Sequence, residues 1–218
     1  ITLDIPLSEI REPAKMRFEV NMRETGYRNS WNIWVYPPYN SVKIAEEKVD
    51  GVTVTRDKKL FEKLYASGSP VLYIPMERDV REKSVEGLFF TDFWNYQVFK
   101  SVTERLGVES SPGTLGLLIE EPTHPVFSSF PTSHHSDWQW WNIVKNSRPI
   151  ILDDMPVDYF PIVQVIDNFD RNHKLGIIYQ LPESKALVCS SDLFACSSEP
   201  EVKAFFHSLV EYLKEKKQ

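Results

Sequence analysis

The chain has 218 residues, of which 42% are hydrophobic and 26% charged, the makeup of a folded globular protein, so wholesale disorder is excluded. The length allows one large domain, or one of ordinary size with part of another. A net charge of −6, with acidic and basic residues interspersed, argues against a nucleic-acid partner, because phosphate binding needs clustered Lys and Arg.

The N-terminal stretch reads as β. Residues 1–5 and 16–22 alternate apolar and polar positions, which gives each strand one buried and one wet face. A turn at Glu24-Thr25-Gly26-Tyr27 leads into a strand over residues 31–36, closed by Pro37-Pro38. Two or three half-buried strands cannot build a core alone, so residues 1–30 are expected to be the last strands of a sandwich domain cut from something longer. Residues 31–218 form the second unit.

From about residue 40 strands alternate with helices. Residues 52–55 form a short strand. Residues 57–67 form a helix with Leu60/Leu64 and Phe61/Tyr65 pairs four apart and Gly68 at its end. Residues 71–74 are a buried strand, and a second helix runs from an Asp92 cap to Gly107. Further strands are expected over 115–119, 150–152, 162–166, 175–179 and 186–189. The last two are joined by a short turn, which suggests an antiparallel hairpin at one edge. A capping box of Ser198 and Glu201 opens the final helix, whose stripe is Val202, Phe205, Phe206, Leu209, Val210 and Leu213. Apolar strands separated by helices imply a sheet covered on both faces, here an α/β domain of doubly wound, flavodoxin-like type. Its ligand would lie beyond the carboxyl ends of the strands.

No apolar run reaches the ~18 residues that span a bilayer, and no Gly-rich phosphate loop occurs, so neither a membrane span nor a nucleotide cofactor is expected. Cys189 and Cys196 are the only thiols. Val188-Cys189-Ser190-Ser191 has no flanking glycine, which favours buried structural cysteines over nucleophiles. The carboxylates Glu120-Glu121, Asp153-Asp154 and Asp167 are the candidates for acid/base work. Asp167, ending the strand over 162–166, is the best placed, with a turn role beside Asn168 the favoured reading.

The densest chemistry lies in residues 130–141. On a helix His134 and Asp137 would share a face, while the adjacent His134 and His135 could not serve one metal together. No metal site is expected. Trp138, Trp140 and Trp141 face a choice between burial and sugar stacking. On a helix Trp138 and Trp141 are neighbours while Trp140 lies about 160° from Trp138, so at least one indole must look away from the core. It is expected to be covered by the chain's own loops or by a partner domain.

Four segments in order carry a resemblance: Asn29-Ser30-Trp31-Asn32-Ile33-Trp34-Val35-Tyr36-Pro37; Gly113-Thr114-Leu115-Gly116-Leu117-Leu118; His124-Pro125 leading into Phe130-Pro131-Thr132 and Asp137-Trp138-Gln139-Trp140; and Pro161-Ile162-Val163-Gln164-Val165-Ile166-Asp167. Together they resemble the region that follows the catalytic barrel in large family-2-type, β-galactosidase-like glycoside hydrolases of gut Bacteroidetes. The resemblance implies the end of a β-sandwich followed by a class I glutamine-amidotransferase-like α/β domain. Where that activity needs a Gly-x-Cys-x-Gly elbow, Pro75-Met76-Glu77-Arg78 follows the strand instead, so the thiol chemistry is not implied. The family's catalytic glutamates belong to a barrel outside this chain, which leaves no catalytic residue to assign.

The resulting expectation is a non-catalytic accessory module of an exported bacterial glycoside hydrolase acting on β-glycosides, periplasmic or extracellular. Its partners would be an upstream catalytic domain of the same polypeptide or further copies of itself. The alternative is a carbohydrate-binding surface on Trp94, Trp138 or Trp140, with His134, Asp137 and Asp167 as polar neighbours. An independent hydrolase using His134 and Asp137 stands third.

Overall fold

The computed structural model describes residues 2, 4–85, 96–107, 116–167 and 172–215. Strands β1 (Ala14–Asn21) and β2 (Arg28–Val35) pair antiparallel in an unbroken register, with Lys15 opposite Trp34 and Phe18 opposite Trp31. β2 starts before residue 31, so the division expected between residues 30 and 31 falls inside a strand. The expected strand over residues 1–5 is not present at its described positions, which find no sheet partner.

The α/β unit begins with β3 (Lys48–Val49) and β4 (Val52–Thr55). The two residues between them, Asp50 and Gly51, have φ of 50° and 91°, the paired positive angles of a two-residue hairpin turn. Asp57 then caps α1 (Lys58–Ala66), its side chain accepting from Lys59 N at 2.8 Å and Leu60 N at 3.2 Å. β5 (Val71–Tyr73) returns parallel to β4, and a single helical turn, α2 (Glu77–Val80), follows. α3 (Tyr96–Arg105) falls within the predicted second helix, whose Asp92 cap lies outside the described residues.

The rest of the chain supplies β6 (Leu117–Leu118), α4 (Trp141–Lys145), β7 (Ile150–Ile151), β8 (Val163–Val165), β9 (Leu175–Gln180), β10 (Ala186–Cys189) and α5 (Pro200–Glu215). Among the described residues the main sheet runs β3-β4-β5-β10-β9-β8-β6, with β7 also paired to β9. It is a mixed, open α/β sheet. Among the described residues the only neighbouring pairs that run parallel are β4–β5 and β5–β10; β3 and the strands from β9 to β6 pair antiparallel. The β9–β10 hairpin lies in the centre of the sheet, not at the expected edge. Its short turn forces antiparallel pairing, and the outer side of β10 is taken by β5.

Strand alternation sorts the core into two layers. Leu72, Ile74, Leu187 and Cys189 face a large cluster that includes Phe205, Leu209 and Leu213 of α5. Tyr73, Val188 and Tyr179 face the opposite side, where Phe61 of α1 stacks on Tyr73 with ring centroids 4.3 Å apart. Each fully buried large apolar side chain contributes about 1.5–3 kcal/mol. α5 buries more than the predicted stripe, adding Ala204, Ser208 and Tyr212. The Ser198–Glu201 capping box does not form: the helix starts at Pro200, and Glu201 accepts from Asn142 Nδ2 at 2.8 Å.

Candidate functional site

The two tryptophan groups, about a hundred residues apart in sequence, meet at one groove. On β2 the two-residue period turns Ser30, Asn32 and Trp34 to one face. Opposite lies the turn from Ser136 to Trp141, and the groove between them has a volume of about 670 Å³. Trp31, Trp34, Trp138 and Trp141 all line it.

The hairpin is tied to this turn by hydrogen bonds. Trp34 Nε1 donates to Pro131 O at 3.2 Å, and the same carbonyl accepts Gln139 Nε2 at 2.7 Å. Tyr36 OH donates to Gln139 Oε1 at 2.6 Å, and its ring stacks on Phe130. Burial holds the Tyr36 hydroxyl well above the usual phenol range, so it serves as a neutral donor. Lys15 donates to Ser133 Oγ at 2.6 Å and lies over the Trp34 ring at 5.4 Å. Each neutral bond contributes about 0.5–1.5 kcal/mol and the cation–π contact about 0.5–1 kcal/mol.

Residues 131–137 are extended rather than helical, and this overturns the expected His134–Asp137 pair three residues apart on one helix face. His134 Nδ1 lies 3.0 Å from Ile119 O, and His135 bridges to Leu118 beside β6. Pairing with that edge strand holds the segment extended. A single 3₁₀ turn, residues 138–140, then runs directly into α4. In a 3₁₀ turn residues three apart eclipse, so Trp138 and Trp141 share the outer face. They are 79% and 53% exposed, whereas Trp140 between them is 0% exposed among Phe127, Phe130 and Phe205. Among the described residues no loop covers the outward indoles. Trp140, a sugar-platform candidate, is a core residue.

Asp137 sits nearly buried at the floor of the groove. Neither carboxylate oxygen has a well-aligned hydrogen-bond partner among the described residues, the backbone N–H groups of Gln139 and of Asp137 itself acting on it only weakly, and Lys15 Nζ lies 3.8 Å away. Desolvation raises the carboxyl above its ordinary value, against the opposing pull of Lys15, of His135 and of the backbone N–H groups of Gln139 and Asp137. A native carboxyl that holds its proton more tightly than the unfolded one favours folding at low pH. That contribution is complete below the ordinary carboxylate value and is lost as pH rises through the raised native one. Asp137→Asn is thus expected to raise the urea midpoint at neutral pH, with the gain shrinking in acid. A gain that grew in acid would contradict this account.

The remaining candidates are structural or outside the described residues. Asp167 accepts from His173 N at 3.0 Å, a turn role. Asp153 accepts from His173 Nδ1 at 2.7 Å and Lys174 N at 2.8 Å, and these bonds hold its carboxyl below the usual range. Glu120 and Glu121 are exposed. Trp94 lies outside the described residues. Among the described residues no group of three or more His, Cys, Asp or Glu is placed to hold a metal ion. Both cysteines are free and buried, and burial pushes Cys189 up to about 12 and Cys196 up to about 11. Neither is expected to react with a disulfide-exchange reagent at neutral pH until the protein is unfolded, which absorbance of the released thiol would follow.

In the sequence Ser30, Trp31, Asn32 and Trp34 stand out only as part of the segment 29–37, and Ser136 and Trp141 only as part of residues 130–141; Lys15 carries no signal there. The period-two pattern of β2 was the available signal for Ser30, Asn32 and Trp34 sharing a face. No curated protein matches the chain. Residues 1–37, which contain the hairpin, match the family DUF8488, and residues 52–218 match the family DUF8487, each described as a domain of unknown function. With the whole α/β sheet from β4 onward inside that second match, the chain belongs to the DUF8487 family.

Proposed function

We propose that this chain is a non-catalytic module that holds a glycan in the groove between the hairpin and the Trp138–Trp141 turn, and that it serves an exported glycoside hydrolase acting on β-glycosides. The observation that carries the reading is the pair of exposed indoles, Trp138 and Trp141, set beside polar groups of β2. A pyranose presents an apolar C–H face and a rim of hydroxyls. An indole face matches the first, and Ser30, Asn32 and Ser136 match the second. The segment resemblance to β-galactosidase-like hydrolases supports the sugar assignment and a periplasmic or extracellular setting. The parallel run β4-α1-β5 with β10 supports a distant flavodoxin-like, amidotransferase-like origin, with an antiparallel half added to it.

Affinity electrophoresis through gels containing soluble polysaccharides tests the reading. Migration should slow on at least one β-linked glycan, and Trp138→Ala should restore it. That substitution should change stability by no more than about 0.5 kcal/mol, because the side chain is mostly in water. Unaltered migration on every gel would count against the glycan reading.

A second reading, interdomain or self-association, is favoured by a different observation. Val20, Met22, Tyr27 and Trp31 are all exposed on the hairpin, an apolar concentration of the kind that marks protein contacts. Sedimentation of the purified chain would reveal self-association.

A further inference from the structure

The three parallel strands end together. Arg56 directly follows β4, Pro75 and Glu77 lie just past β5, and Ser190 and Asp192 just past β10. In open α/β sheets the space beyond the carboxyl ends of the strands is where ligands bind. Here that space is a crevice of about 440 Å³, walled on one side by residues 145–148. The wall is fastened to the strand end. Arg148 N donates to Ser190 O at 2.8 Å, and Asp192 N donates to Asn146 O at 2.8 Å.

Among the described residues three cations line the crevice, Arg56, Lys145 and Arg148, against two carboxylates, Glu77 and Asp192. Arg56 is neutralised in place: its Nη2 lies 3.0 Å from Asp192 Oδ2, and its guanidinium covers the Phe194 ring at 4.9 Å. Arg56 Nε and Asp192 Oδ1 are buried without hydrogen-bond partners. They are the second rung of a fork that a small rotation of either side chain would close, so they demand no ligand.

Arg148 is the exception. Its side chain is only 18% exposed, and its Nε donates to Ser84 Oγ at 2.7 Å. Among the described residues the carboxylate paired with it is Glu77, whose Oε1 is 3.4 Å from Nη1 and is already engaged by Arg81 Nη2 at 2.9 Å. One exposed carboxylate oxygen thus serves two guanidiniums. Arg148 is left under-neutralised at the wall of the crevice, with Lys145 on the same wall.

We propose that this crevice binds a small hydroxylated monocarboxylate, its carboxylate seated on Arg148 and Lys145 and its hydroxyls turned towards Glu77. A guanidinium locked by Ser84 presents a planar fork that matches a carboxylate without further ordering. The excess of one positive charge suits a monoanion and disfavours a doubly charged phosphate. This site is separate from the tryptophan groove and does not depend on the glycan reading.

The test is calorimetric titration of the full chain carrying Trp138→Ala and Trp141→Ala, so that failure of the groove cannot mask or mimic the result. Glucuronate is the probe, with glucose and glucose 6-phosphate as comparators. Saturable glucuronate binding is expected, with no response to glucose and weaker binding of the phosphate. Arg148→Gln and Lys145→Glu should each lower glucuronate affinity about tenfold, the loss of one charge-assisted contact. Lys145 is exposed, so its variant folds whatever becomes of the other. The absence of saturable heat up to about 10 mM glucuronate, equal binding of glucose, tighter binding of the phosphate, or full affinity in Lys145→Glu would overturn the proposal.

Discussion

Trp140→Ala is expected to destabilise the protein by about 3–5 kcal/mol, the largest loss of any single substitution considered for this chain. The indole has no exposed surface and meets Phe130 and Phe205 edge-on, with centroids 5.0 Å and 5.3 Å away. Each such pair contributes about 0.5–1.5 kcal/mol beyond its area. Its Nε1 also donates to Thr132 Oγ1 at 2.9 Å, so truncation removes a hydrogen bond as well as opening a cavity. The melting temperature should fall by roughly 6–20 °C for a chain of this size. Trp140→Phe keeps most of the ring contacts and should lose far less. A Trp140→Ala protein melting within a degree or two of wild type would show that the residue is not the centre of this core.

Gly176→Ala should cost about 1–3 kcal/mol, although alanine is ordinarily the better strand residue by about 0.5–1 kcal/mol. Gly176 sits in β9 where that strand pairs with both β7 and β8. A Cβ there would lie 2.7 Å from Leu152 Cδ1 and 3.0 Å from Pro161 Cβ. The leucine methyl can rotate aside. The proline carbon is fixed to its ring and backbone, so the sheet itself must give. The urea midpoint should drop with the slope unchanged, because the surface exposed on unfolding stays the same. An unchanged or higher midpoint would mean that the Pro161 segment yields without cost.

Local signals carried much of the fold. Val52 to Thr55 and Ala186 to Cys189 were readable strands, and the Leu60/Leu64 and Phe61/Tyr65 pairs with Gly68 announced α1, whose Asp57 cap the structure added. The order of strands was not readable, because continuous apolar runs mark burial on both faces and say nothing about direction. The short β9–β10 turn did predict antiparallel pairing. Its central place depends on β5, more than a hundred residues earlier. At the site, i,i+3 spacing correctly grouped Trp138 with Trp141 against Trp140. The helix assumed for His134 and Asp137 failed because contact with Leu118 and Ile119 keeps residues 131–137 extended, a tertiary effect that local pattern does not carry. Arg56, Glu77, Arg148 and Asp192 are scattered along the chain and share only their places at or beside strand ends. Without the parallel order of β4, β5 and β10, nothing joins them.

Tryptophan fluorescence of the intact chain, titrated with β-galactosides and with plant and host glycans, tests the central claim most directly. Trp138 and Trp141 are the exposed indoles of the groove turn, so a ring stacked on them should change the emission while the buried Trp140 stays silent. The account predicts a saturable shift with at least one β-linked glycan, lost in Trp138→Ala while thermal stability is kept. A flat titration with every glycan, from a protein whose Trp138→Ala variant is itself strongly destabilised, would contradict it and leave this surface as a packing interface.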